Sequence, residues 1–157
     1  MNSSGLQKAE EISNRIKELQ IKTGIKRWDG FTNSHGNLSI NLTEWNNLGG
    51  GKLGFGKKCS IQKLGSNKHV FKKGKVESFT GKLLKNCENF EISSNAFALA
   101  MNMTTTAKRD GWRGQWIKVI GSNGKTFKCD VSKEKILLDN KKDKTVKQIK
   151  PICIAEK

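Results

Sequence analysis

The chain has 157 residues, 30 of them Lys or Arg and 14 Asp or Glu, for a formal net charge of +16. That length holds one ordinary core, and so large a cationic excess favours a polyanionic partner such as DNA, RNA or an acidic protein. No apolar run nears the roughly 18 residues that cross a bilayer, and Met1-Asn2-Ser3-Ser4-Gly5 lacks the charged-then-apolar order of a secretion signal.

In chain order, residues 4–23 read as a helix, so that 1–24 forms an N-terminal helical element. Ser4-Gly5-Leu6-Gln7 fits a capping box, Leu6, Ala9, Ile12, Ile16 and Leu19 recur at helical spacing, and Gly24 is a natural stop. Trp28-Asp29-Gly30-Phe31 and Asn33-Ser34-His35-Gly36 read as turns. Leu38, Ile40 and Leu42 alternate with polar residues, as in a strand. From the glycine-rich stretch 49–58 to Lys85, short apolar runs and turns suggest a β-meander. Ser93 or Ser94 caps a second short helix near 94–102, with Ala96 to Met101 as its apolar body. Gln115–Ile120 and Lys125–Val131 form a hairpin around Gly121-Ser122-Asn123-Gly124. Residues 139–157 make a charged tail ending in a strand candidate, Thr145–Ile154, where Pro151 argues for an edge position. The expected fold class is α+β: an N-terminal helix, a twisted, mainly antiparallel sheet and a second short helix, in a single basic domain over 1–157.

Cys59, Cys87, Cys129 and Cys153 are widely spaced, and His35 and His69 are the only histidines, so neither a metal site nor a cofactor is expected. Reduced, mostly buried thiols in a cytoplasmic protein are the default, nucleoid- or nucleus-associated if the partner is DNA. Two disulfides would be the reading only for an exported protein.

Residues 50–86 carry ten lysines, among them Lys52, Lys57, Lys58, Lys63, Lys68, Lys72, Lys73 and Lys75, against the single acid Glu77. Such an imbalance repels itself unless a polyanion compensates, and glycine-rich backbone lets a phosphate approach closely. Phe55, Phe71 and Phe79 are interleaved with these lysines; a core role is preferred for them over stacking on bases. A second cluster runs from Lys108 to Lys118. Arg109 and Arg113 bring guanidinium groups that pair with phosphate or a guanine edge. Of the tryptophans beside them, Trp116 reads as core and Trp112 as either core or stacking platform.

Phe90-Glu91-Ile92-Ser93-Ser94-Asn95-Ala96-Phe97-Ala98-Leu99-Ala100, followed by Gly111-Trp112, Trp116 and Gly124-Lys125-Thr126-Phe127, resembles the restriction-enzyme adenine-methylase-associated (RAMA) domain over residues of about 88–128. The resemblance implies an α+β module that recognises DNA, including modified DNA, in restriction, phage or chromatin settings.

Three functions compete. The preferred one is non-catalytic binding of duplex DNA by a lysine-rich face, with Lys52, Lys57, Lys58, Lys63, Lys68, Lys72, Lys73 and Lys75 on phosphates and Arg109, Trp112 and Arg113 near the groove. The second is a small metal-independent ribonuclease toxin, with His35 as general base and Glu44 nearby. The third is an adaptor for an acidic protein partner. A small-molecule substrate is not expected, and without a basic amphipathic helix neither is a membrane role.

Overall fold

The computed structural model describes residues 15–27, 29–31, 38–65, 71–81, 84, 87, 90, 92, 96–105, 111–122, 124–132, 148–149 and 151–156. The architecture is all-β: β1 (Ile16–Thr23), β2 (Leu38–Gly49), β3 (Lys52–Leu64), β4 (Val76–Thr80), β5 (Ala96–Thr105), β6 (Gly114–Gly121), β7 (Thr126–Cys129), β8 (Gln148–Ile149) and β9 (Ile152–Ala155). They form one antiparallel sheet in the order β3-β2-β5-β9-β7-β6-β1-β4, with β8 pairing β5. Among the described residues there is no α-helix, so the α+β expectation is overturned.

Both helix assignments fail for identifiable reasons. The first covers residues 4–23, of which 4–14 lie outside the described residues and 16–23 are β1. The pairing of β1 with β6 shifts register between Ile16 and Glu18. An irregularity of this kind adds a residue to the pleat, so Ile16 and Leu19 both face the core although three apart. That spacing imitates a helix. From Leu19 onward the period is two, with Leu19, Ile21 and Thr23 all buried. The second expected helix, 94–102, falls largely on β5, a central strand flanked by β2 and β9. Alanine favours helix on its own, but here Ala98 and Ala100 alternate with the inward Leu99, Met101 and Met103, and packing decides.

Other readings hold. Leu38, Ile40 and Leu42 are fully buried on β2, and β6 and β7 form a hairpin in which Ile120 pairs with Thr126. Pro151 is not in an edge strand. It separates β8 from β9, both of which pair with β5, and its carbonyl accepts from Met101 N–H.

Buried side chains from both ends of the strand order, Ile61 and Leu64 on β3 and Phe79 on β4, belong to one apolar cluster. The sheet is therefore rolled around a single core. Two disulfides clasp it, which overturns the expectation of reduced thiols. Cys59 on β3 bonds to Cys87, beyond the end of β4. Cys129 on β7 bonds to Cys153 on β9, extending the register in which Lys128 faces Ile154. Among the described residues no helix is long and apolar enough to cross a membrane.

Candidate nucleic-acid interface

Two cationic regions emerge, each built from segments distant in sequence. The first is an end of the molecule where three loops meet. Gly24 N–H donates to the Arg113 carbonyl at 2.9 Å, Gly74 N–H to the Gly24 carbonyl at 3.0 Å, Phe31 N–H to the Phe71 carbonyl at 3.0 Å, and Arg113 N–H to the Asp29 carbonyl at 2.8 Å. Gly30 is required for this closure, because a β-carbon there would lie 2.6 Å from Lys73 N and from the Phe71 carbonyl oxygen. Under the loops the rings of Phe31, Phe71, Phe79 and Trp112 pack with centroids 5.9–6.4 Å apart. The Trp112 indole N–H donates to Thr23 Oγ1 at 2.9 Å.

This aromatic plug leaves Lys26, Arg27, Lys72, Lys73, Lys75 and Arg113 exposed around one rim. Asp29, an acid of the same loops, is buried and caps the Lys26 N–H through Oδ2 at 3.0 Å. Beside it lies a cavity of about 600 Å³ lined by Lys26, Asp29, Arg113, Gln115, Val131 and Ser132, among others.

The second region is the outer, convex face of the sheet. Strand register runs one transverse row across it. Phe55 pairs with Trp45, Trp45 with Ala98, Ala98 with Ile154, Ile154 with Lys128, Lys128 with Lys118, and Lys118 with Gln20. Strand alternation turns this row to the outer face: Lys118 lies between the buried Ile117 and Val119, and Lys128 between Phe127 and Cys129, while Ala98, in the middle of the row, is fully buried. Phe55 is 71% exposed and Ile154 54%. The Trp45 and Phe55 rings meet edge to face with centroids 6.0 Å apart, and Lys118 Nζ sits 5.3 Å from the centre of the Trp116 ring. Two lysines directly opposed across a strand pair destabilise a sheet unless something neutralises them.

The predicted site residues are divided by this arrangement. Lys72, Lys73, Lys75 and Arg113 come together at the rim. Lys52, Lys57 and Lys58 are exposed on the edge strand β3, which also carries Lys63. Trp112 is completely buried, so in this fold it offers no face to a base or groove and anchors the rim from below. Lys68, Arg109 and the alternative catalytic residue His35 lie outside the described residues. Glu44, its suggested neighbour, is 1% exposed and accepts from Asn46 Nδ2 at 3.1 Å. Among the described residues no group of three or more His, Cys, Asp or Glu side chains is placed to hold a metal ion.

Sequence reasoning missed Trp45, Trp116, Lys118 and Lys128 as surface groups. The signal was available for three of them, since a period of two through Ile117 and Val119 sends Trp116 and Lys118 outward, and Phe127 and Cys129 do the same for Lys128. No protein-family model matches the chain, and a search of curated proteins finds no relative.

Proposed function

We propose that this protein binds nucleic acid without cutting it, through cations gathered at the loop rim and on the outer sheet face. The observation that carries this reading is the rim itself. Loops around residues 24–31, 71–75 and 111–114 converge by backbone hydrogen bonds and turn six basic side chains outward. Folding concentrates this charge against its own repulsion, and a chain of phosphates, as in duplex DNA, offsets that cost and releases counterions. The alanine-rich segment of the RAMA likeness is strand β5 and not a helix, so the preference for DNA rests on the charge alone.

The pairing of all four cysteines supports an oxidising compartment as the place of action, in preference to the cytoplasm expected for free thiols.

Charge reversal tests the proposal. Replacing Lys72, Lys73, Lys75 and Arg113 together by Glu should weaken binding of a duplex oligonucleotide. It should also make the plot of log affinity against log salt shallower by about 3 to 4, at roughly 0.9 for each phosphate no longer neutralised. Unchanged affinity and slope would remove the rim from the interface. Binding retained only by an acidic protein, and not competed by oligonucleotide, would favour the adaptor reading.

A further inference from the structure

We infer that the outer face takes single-stranded nucleic acid, its bases stacking on Phe55 and Trp45 while Lys128, Lys118 and Lys58 hold the backbone. This inference rests on the nucleic-acid reading and narrows its ligand.

An exposed phenylalanine leaves apolar ring surface in water. Three phenylalanines occur in the lysine-rich segment; Phe71 and Phe79 are fully buried, whereas Phe55 is 71% exposed. Its neighbour Trp45 is half-buried and holds it edge to face, with ring centroids 6.0 Å apart. The pair is fixed by the register of β2 and β3, which shifts between Thr43 and Trp45 and so aligns Trp45 with Phe55 while Thr43 remains opposite Lys58. An aromatic pair held outward on a strand is a platform, since every base has a π-face that fits it.

The spacing of cations along the same row completes the site. From β2 to β6 the row crosses β5, β9 and β7, four steps of about 4.8 Å each, or about 19 Å in all. Within that span lie Ile154, Lys128 and Lys118, with Trp116 beneath the Lys118 ammonium. The two rings at one end of the row, Ile154 beyond the buried Ala98, and the two ammonium groups at the other end thus lie at one level. A single strand laid along the row sets its bases on the rings and its phosphates against the lysines. A duplex keeps its base faces inside the stack, so Phe55 and Trp45 gain nothing from it.

Two other occupants fit less well. A bilayer separates apolar from charged groups by depth, but here Lys128 lies directly opposite Ile154 across the strand pair. Addition of a strand along β3 is opposed by Lys52, Lys57 and Lys58 on that edge.

The experiment compares three probes on the full-length, disulfide-bonded protein at low salt: fluorescein-labelled oligo(dT), a duplex of equal length, and vesicles of phosphatidylserine and phosphatidylcholine. The wild-type protein should bind oligo(dT). Phe55→Ala should weaken that binding between about 5- and 150-fold, the range seen when one stacking ring is removed, and leave duplex affinity within about twofold. Because Phe55 is exposed the variant should fold, and Phe55→Trp should restore binding, which a merely structural role would not do. If Phe55→Ala leaves oligo(dT) affinity unchanged while the rim reversals weaken both oligonucleotides, the platform is overturned and the nucleic-acid reading survives. Wild-type protein that binds neither oligonucleotide at low salt overturns both. Vesicle binding lost in Phe55→Ala, with oligonucleotide affinity unaffected, overturns the inference in favour of a lipid surface.

Discussion

The rim and the outer face use the same residue types in opposite ways. At the rim the aromatic groups are inside: Phe31, Phe71, Phe79 and Trp112 form a plug, and basic residues stand on the loops above it. On the outer face Phe55 is exposed and Trp45 and Trp116 are half-buried, with lysines at the same level. Trp112 and Trp116 make the contrast sharpest, being four residues apart with one wholly buried and the other on the surface. A ring beneath a loop contributes through burial and acts on a ligand only by positioning its neighbours. A ring on the outer face contributes little to folding and is available to touch. Aromatic content near lysines is therefore no guide to binding until strand parity is known.

The largest effect should come from breaking that contrast in the plug. Trp112→Ala removes a fully buried indole and its hydrogen bond to Thr23 and should cost about 3–5 kcal/mol of stability. Trp116→Ala should cost clearly less than that, yet weaken oligo(dT) binding. Chemical denaturation of both variants, followed by binding at a temperature where both are folded, checks the pair. Equal destabilisation would erase the distinction between plug and platform.

Next in size are the disulfides. Cys59→Ala with Cys87→Ala opens a clasp of sequence separation 28, and Cys129→Ala with Cys153→Ala one of 24. Each should lower stability by about 3.5 kcal/mol on the loop-closure account. The first should also weaken oligo(dT) binding more than the second, because it frees β3, the strand that carries Phe55. Thermal melts with and without reductant measure the cost. Identical melts would mean that the four thiols are not paired.

Much of this was legible in the residues, and the failures have physical causes. Alternation at Leu38, Ile40 and Leu42 and turn chemistry at Gly121 to Gly124 are local, and both survived folding. The register shift at Ile16 is a tertiary event that turned a strand pattern into helical spacing. Ala96 to Ala100 is a short apolar run, for which periodicity cannot separate a central strand from a buried helix. Cysteine pairing is decided by which strands become neighbours, and wide spacing in the chain carries no trace of it. Trp116 read as core because Ile117 and Val119 follow it, although a strand that buries those two must turn Trp116 outward. The lysine excess was visible from composition, but its gathering with Lys26 and Arg113 at one rim depends on loop-to-loop hydrogen bonds that no local pattern announces.

The smallest effect concerns an acid on the outer face. A hydrogen bond from the Ser78 hydroxyl, then one from the Gln20 amide, with Lys17 nearby, holds the Glu18 carboxyl below its ordinary value of 4.5 against a slight opposing effect of burial. A carboxyl lowered in the folded state stabilises the fold above its unfolded pKa. That contribution is lost as pH falls through the lower, folded value. Melting temperatures of wild type and Glu18→Gln should therefore differ above pH 4.5 and converge in acid. A constant offset at every pH would contradict this assignment and leave the lysine row untouched.

A titration of ¹⁵N-labelled protein with oligo(dT), read at the tryptophan indole N–H signals, reports on the platform and the plug together. The Trp45 and Trp116 signals should shift progressively while that of Trp112, locked to Thr23 in the core, stays in place. Movement of the Trp112 signal with Trp45 and Trp116 unmoved would contradict the platform assignment.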